Sequence, residues 1–355
     1  MSKFWNPLIK QLEPYVPGEQ LDDPAIIKLN TNENPFPPSP KVLAAIEEEA
    51  KTKLQLYPSP TVDELREEIG RFYGLKKEQV FVGNGSDEVL ALSFMTFFEP
   101  GKAIKYPDIT YSFYPVYAKL YQLDVEEVAL EDDFTISPES LFHSQGGVIF
   151  PNPNAPTSLY LELTAIEQIL KNNPDQVVIV DEAYVDFANA SAVSLIDSYP
   201  NLLVVQTLSK SRSLAGLRVG MAMGHPELID GLTRVKDSFN SYTIDRLAIA
   251  GAVEAFRDTA YFEKTRQEII ATREYFQKEL EKRDFHVLPS QANFVLASPA
   301  GIGIEAEKLF SELKQLGFLI RYFNKPKLDN YLRISIGTKE QMTKLLHAID
   351  KITEK

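Results

Sequence analysis

Apolar residues recur at helical spacing early in the chain. Val42, Leu43, Ile46 and Ala50 do so between Lys41 and Lys53, and Leu65, Ile69 and Phe72 between Val62 and Tyr73. Each stripe predicts an amphipathic helix that buries one face and leaves the other in water. Between about Gln79 and Met223 the pattern changes to short β-branched apolar runs, at 80–82, 103–106, 148–150, 177–180 and 202–206, alternating with helix-length segments. That alternation predicts βαβ units and a mainly parallel sheet, and runs this apolar need helices on both faces. From Arg246 to Arg283 a proline-free, charge-rich stretch predicts one or two exposed helices connecting two domains. Short runs at 286–288, 294–297, 318–322 and 332–336 around a helical pattern at 305–316 predict a small α+β domain. The first forty residues carry Pro7, Pro14, Pro17, Pro24, Pro35, Pro37, Pro38 and Pro40, a density that suits an extended arm lying on something else. The chain thus divides into an arm (1–40), a large α/β domain (41–245, with 41–50 free to pack on the small domain) and a small domain (246–355).

Composition narrows the chemistry. With 50 acidic and 37 basic residues the net charge is −13, which argues against a nucleic-acid partner. Cysteine is absent, so thiol nucleophiles, disulfides and thiolate-held metals are excluded. His143, His225, His286 and His347 stand apart with no pair at metal-ligand spacing. No apolar run reaches the roughly 18–20 residues of a membrane span, and the charged, proline-bearing start reads as neither signal nor transit peptide. The expectation is a soluble cytoplasmic protein.

Ligands in such sheets sit outside the carboxyl ends of the strands, so the residues after each run matter most. GNGSDE (83–88) follows the first run and leads into a helical pattern. Its unpaired N–H groups and positive dipole end suit an anion such as phosphate, or else form a plain N-cap. Glu88 stands where a third glycine would be, and no Lys-Ser/Thr follows, so neither dinucleotide nor P-loop fingerprint is present. Asp181 ends the fourth run, where a carboxylate needs a cation or donor, and a buried ion-pair partner is expected unless it merely caps a helix. Lys210 follows the fifth run in TLSK, with Arg218 eight residues on. Most lysines are solvated charges, but this one lies at a buried strand's mouth. A phosphate cradle, an acid able to pair with a protonated ring nitrogen and an amine nucleophile together suit pyridoxal phosphate.

In its motifs the chain resembles the fold-type I pyridoxal-phosphate-dependent aminotransferases, and among them the histidinol-phosphate aminotransferases. The likeness runs through LNTNENPFPPSP (29–40), YPSP (57–60), GNGSDE, YPDITYSFY (106–114), NPNAPTS (152–158), VDEAYVDF (180–187), TLSKSRSLAGLRVG (207–220), FNSYTIDRLA (239–248) and YLRISIGT (331–338). The resemblance implies exchange of an amino group between L-histidinol phosphate and 2-oxoglutarate or glutamate, as a step of histidine biosynthesis. It makes residues 41–245 the cofactor-binding domain and Lys210 the residue that forms the internal aldimine and shuttles a proton. It further implies that Asp181 holds the pyridine nitrogen protonated, that Tyr184 bonds the phenolic oxygen and that Tyr111 stacks on the ring. Ser86, Asp87, Thr207, Ser209 and Arg218 would surround the phosphate. Tyr57 would reach the neighbouring subunit's cofactor, which makes a homodimer part of the expectation. Arg333 and Arg321 would grip the substrate's phosphate or carboxylate, with Tyr15 and Asn32 closing over the site. One departure stands out: Ala155 and Ser158 replace the family's usual asparagine and glycine, so the cofactor-binding amide comes from Asn154 or is absent. Alternatives on the same scaffold are an aromatic amino acid aminotransferase and a phosphothreonine decarboxylase. A non-catalytic regulator on this fold would carry an added DNA-binding segment, for which this acidic chain has no room.

Overall fold

The computed structural model describes residues 2–21 and 23–353. Its start is largely extended, with one 3-10 turn at Ile9–Gln11 and a short strand, β1 (Ile27–Lys28), that pairs in parallel with Phe318–Leu319. Helix α1 (Pro40–Thr52) begins at Ser39, whose hydroxyl accepts the Lys41 N–H, and α2 (Asp63–Tyr73) ends at Gly74 in the left-handed conformation.

The central sheet holds seven strands: β2 (Val80–Gly83), β3 (Ile104–Pro107), β4 (Val125–Val128), β5 (Val148–Pro151), β6 (Val178–Asp181), β7 (Leu202–Thr207) and β8 (Gly220–Gly224). Their spatial order is β2-β8-β7-β6-β5-β3-β4. From β7 to β4 neighbours run parallel, and β8 is antiparallel to both its neighbours. Successive residues of the buried strands serve opposite faces. Val178, Val180, Leu202 and Val204 join one core with Leu65, Ile69 and Ile166, whereas Ile179, Leu203 and Val205 join another with Val89, Leu90 and Leu232. Those layers are supplied by α2 and α5 (Leu163–Lys171) on one side, and by α3 (Gly85–Phe97), α4 (Tyr114–Leu120) and α6 (Pro226–Phe239) on the other.

Two strands of the central sheet escape the sequence pattern. β4 is an edge strand whose Val125, Glu126 and Glu127 are all exposed, so it lacks an apolar run. β8 reads GMAMG, with a glycine at each end where strand propensity is lowest, and those glycines serve close packing.

The stretch expected as exposed connecting helices is instead well buried on one side. α7 (Arg246–Arg257) puts Ala248, Ala252, Val253, Ala255 and Phe256 into the core of the large sheet and lies against α1 through Gly251 and Ile46. α8 (Thr259–Glu281) puts Ile269, Phe276 and Leu280 into a separate core. The chain therefore crosses between cores at Asp258, and α1 sits with the large sheet.

Around α8 lie β9 (His286–Val287), β10 (Phe294–Ser298), α9 (Ala306–Gln315), β11 (Phe318–Leu319), β12 (Arg321–Tyr322), β13 (Leu332–Ser335) and α10 (Lys339–Ile352). The expected single strand at 318–322 is split. β11 takes β1 as partner, whereas β12 joins the antiparallel sheet β12-β13-β10-β9. Leu29 continues the stitching, donating to Leu319 and accepting from Ser335, so residues 30–34 are carried to the carboxyl ends of the central strands. No described helix is long and apolar enough to cross a membrane.

Candidate active site

A cavity of about 970 Å³ opens where β2, β6 and β7 end, walled on the far side by residues 13–18, residues 30–33 and the β12–β13 region. One wall is the start of α3, with Ser86 and Asp87 in its first turn, where a helix has N–H groups without intrahelical acceptors. This approach depends on two glycines. Gly85 has φ +81° and lies under the Arg218 guanidinium, which a Cβ would meet at 2.5 Å. A Cβ on Gly220 would lie 2.3 Å from the Gly85 carbonyl carbon and the Ser86 nitrogen. Arg218, itself at φ +53°, reaches Asp87 Oδ2 at 3.2 Å, and the Tyr111 hydroxyl donates to Asp87 Oδ1 at 2.8 Å. From the end of β7 come two buried hydroxyls, Thr207 and Ser209, 3.0 Å apart. Together these groups form a cradle with the donor set of a phosphate site.

Asp181, the last residue of β6, is only 4% exposed. The expected ion-pair partner is not found among the described residues: Asp181 accepts from the Tyr114 hydroxyl at 2.9 Å and from the Ala183 N–H at 3.3 Å. Burial raises its pKa to about 7, because these neutral donors and the nearby Asp87 charge do not offset desolvation. A buried carboxylate that faces a cavity without a cation is matched to a ligand that brings one, such as a protonated pyridine nitrogen. Glu182, next in sequence, points the other way and is held by Ser191, Ala192 and Gln206.

Lys210 projects into the same cavity, its Nζ donating to the Thr31 carbonyl at 3.1 Å and standing 5.7 Å from the Tyr184 ring centroid. Asn34 fixes the lysine's own backbone, donating to the carbonyls of Lys210 (2.8 Å) and Ser211 (3.1 Å). The Tyr184 ring packs edge-on to Phe294, and its hydroxyl accepts from Asn32 Nδ2 at 3.0 Å.

Opposite stand Arg321 and Arg333, their guanidinium carbons 5.4 and 5.5 Å from the Phe323 ring centroid. Arg333 donates to the Asn30 carbonyl at 2.8 Å, and its buried Nε has no partner. Burial lowers its pKa, and the Arg321 charge adds to that. Among the described residues neither arginine has a carboxylate within 4 Å, so the pair is free to receive an anion from the cavity. Tyr15 closes this side, stacked on Phe113 at 4.4 Å.

Two expected residues lie outside the cavity. Tyr57 is 77% exposed and stacks on Tyr242 at 4.8 Å, with its backbone held by Arg246. Asn154 lies behind the wall, its amide donating to the Ile109 carbonyl and the Thr157 hydroxyl, and it is Ala155 that lines the cavity. Local chain geometry explains this: the amide is used to tie residues 154–157 to 109, and the position that faces the cavity carries only a methyl group. Asn32 lines the cavity, but its amide is engaged by Tyr184 and Ser335. Sequence reasoning overlooked Tyr114, Thr31, Asn34 and Ser335. All four lie within motifs already quoted, but their hydrogen-bond partners are 67 to 303 residues away in the chain.

The cradle, the buried acid and the lysine fit pyridoxal 5′-phosphate, and the comparisons point the same way. Residues 24–349 match the model of the family "Aminotransferase class I and II". The chain is 63% identical over 352 residues to histidinol-phosphate aminotransferase 1 of Oceanobacillus iheyensis, covering 99% of each. It is 57% identical over 354 residues to the histidinol-phosphate aminotransferase of Clostridium acetobutylicum, covering 100% of this chain and 99% of that one. In fold it matches the Sinorhizobium meliloti histidinol-phosphate aminotransferase, solved in complex with pyridoxal-5′-phosphate. There the TM-score is 0.88 at 24% identity, over 100% of this chain and 98% of that one. With its glycine-dependent cradle at the sheet's carboxyl edge and a match spanning almost its whole length, the chain belongs to the class I and II aminotransferase family.

Proposed function

We propose that the protein exchanges the amino group of L-histidinol phosphate with 2-oxoglutarate, using pyridoxal 5′-phosphate. The observation that carries the reading is the pairing, across one cavity, of Lys210 and the buried Asp181 with two arginines, where among the described residues Asp181 has no cation and the arginines no carboxylate as partner. Bound there, the cofactor supplies an electron sink for negative charge formed at the substrate's Cα. Asp181, ionised by a cationic ring nitrogen beside it, keeps that nitrogen protonated. Ser86, Thr207, Ser209, Arg218 and the N–H groups at the start of α3, that of Asp87 among them, would hold the phosphate, with Tyr184 placed to donate to the phenolic oxygen and Tyr111 to cover the ring. Lys210 would hold the cofactor and, once released from it, would carry the proton removed from the substrate's Cα. Arg321 and Arg333 take the phosphate of one substrate and the carboxylates of the other in turn, because a planar guanidinium fork suits both. Tyr15 helps to exclude water from that end of the cavity.

Homodimerisation belongs to the same reading. Leu54, Leu56, Tyr57, Phe239 and Tyr242 leave a large apolar area in water, and the exposed Tyr57 is free to reach a second copy's cofactor phosphate. We also assign the chain to the cytoplasm and divide it into an arm, a large cofactor-binding unit and a small unit, with the crossing at Asp258. Asn154, turned away from the cavity, supports the fold of its loop.

A visible absorbance titration of the cofactor-loaded protein with L-histidinol phosphate, alongside L-phenylalanine, tests the substrate. Conversion of the yellow form at far lower histidinol phosphate supports the reading. An equal or better response to phenylalanine replaces it with an aromatic amino acid aminotransferase.

A further inference from the structure

Tyr184 presents one hydroxyl hydrogen, and where it points is set two residues away. The Asn32 N–H donates to Ser335 Oγ at 2.9 Å, and the Ser335 hydroxyl in turn donates to Asn32 Oδ1 at 2.9 Å. That second bond fixes the Asn32 amide with its oxygen toward Ser335 and its nitrogen toward Tyr184, where Nδ2 donates at 3.0 Å. Were the amide reversed, the Ser335 hydrogen, buried within β13, would lose this acceptor. Because Tyr184 accepts from Asn32, its own hydrogen is turned away from Asn32, and among the described residues nothing in the chain accepts it. The cavity is what remains. Asn32 is held at φ +55°, a conformation that asparagine tolerates, and Asn293 Nδ2 clamps its carbonyl at 2.9 Å.

We propose that Ser335 is a positioning residue: by locking the amide of Asn32 it aims the Tyr184 hydroxyl into the cavity as a donor. This deepens the reading above and rests on it, since the acceptor is the phenolic oxygen of pyridoxal 5′-phosphate. Ala155 offers no amide from the neighbouring wall, so the direction of this one donor matters more. Without Ser335 the amide is free to reverse, and Tyr184 then donates to Asn32 Oδ1 and leaves the cofactor. A hydrogen bond to an anionic oxygen weakens the hold on a proton beside it, so losing the donor strengthens that hold.

The test is the pH midpoint of the visible absorbance band in protein loaded with pyridoxal 5′-phosphate, a readout independent of turnover. Ser335→Ala should raise the midpoint by about one unit, the size expected for one hydrogen bond to a charged group. Tyr184→Phe should raise it at least as far, and adding Ser335→Ala to Tyr184→Phe should change nothing more. Ser335→Thr, which keeps the hydroxyl, should restore the midpoint. Asn32→Asp, which can only accept from Tyr184, should reproduce the shift and serves if Ser335→Ala fails to fold. A normal band in the wild type with an unmoved midpoint in Ser335→Ala and Asn32→Asp overturns the proposal alone, as does full additivity with Tyr184→Phe. No band in the wild type after reconstitution overturns the cofactor reading and this proposal with it.

Discussion

Gly220→Ala tests whether the phosphate cradle depends on close contact between β8 and the start of α3. The added Cβ would stand 2.3 Å from both the Gly85 carbonyl carbon and the Ser86 nitrogen, and 2.6 Å from the Gly85 oxygen, where ordinary contact begins at 3.4 Å. All three atoms are backbone, so no side chain can swing aside, and the α3 start must retreat by about 1 Å. Overpacking of this kind costs about 1–3 kcal/mol in stability. The effect on function is larger in kind. A phosphate contact to a first-turn N–H, displaced that far, falls out of hydrogen-bond range, and a charge-assisted bond contributes roughly 1.5–3 kcal/mol. Affinity for pyridoxal 5′-phosphate should therefore drop by about ten- to a hundredfold. Equilibrium titration of the cofactor-free protein by fluorescence quenching measures this, with thermal melts to follow the fold. Gly216→Ala is the control, because a Cβ there meets nothing within 4 Å. A folded Gly220→Ala protein that binds the cofactor as tightly as the wild type would refute the cradle argument.

Three further outcomes follow from the site. Lys210→Ala should abolish amino-group exchange and leave the thermal melt near that of the wild type, and substantial steady-state turnover would remove the lysine from its role. Asp181 has a folded pKa raised from 3.8 to about 7, so the cofactor-free protein gains protons on folding, and its stability should fall as pH rises from about 4 through 7. Asp181→Asn removes that pH-dependent share, on the order of 4 kcal/mol. The variant should melt higher than the wild type at pH 8 without cofactor yet turn over far more slowly with it, and identical melting profiles across pH 5–8 would contradict the pKa argument. Arg333→Ala should raise KM for both amino-group donors by at least tenfold, in line with loss of one charge-assisted contact, while the cofactor Kd changes little. The reverse pattern would move Arg333 to the cofactor side.

Local information in the chain was enough for most elements and for the sheet's character. β2, β3, β5, β6 and β7 announce themselves as apolar runs, and α1, α2 and α9 as helical stripes, because burial on both faces or on one stripe leaves a periodic mark in neighbouring residues. Ser86, Asp87, Asp181 and Lys210 stood out for the same reason, as each follows on such a run and the strand's end brings it to the cavity at one edge of the sheet, whereas Thr207 and Ser209 were singled out by resemblance. β4 and β8 left no such mark, one because it is an exposed edge and the other because its glycines answer to the backbone of α3. Tertiary structure alone decided that α7 joins the large sheet's core, that 318–322 splits between two sheets and that Asn154 turns away from the cavity. It also decided which neutral donors meet Asp181, and that Ser335 and Asn32, 303 residues apart, orient Tyr184. Periodicity and caps are encoded within a few residues of themselves. The direction of a hydrogen bond across a cavity is encoded only once distant segments are packed together.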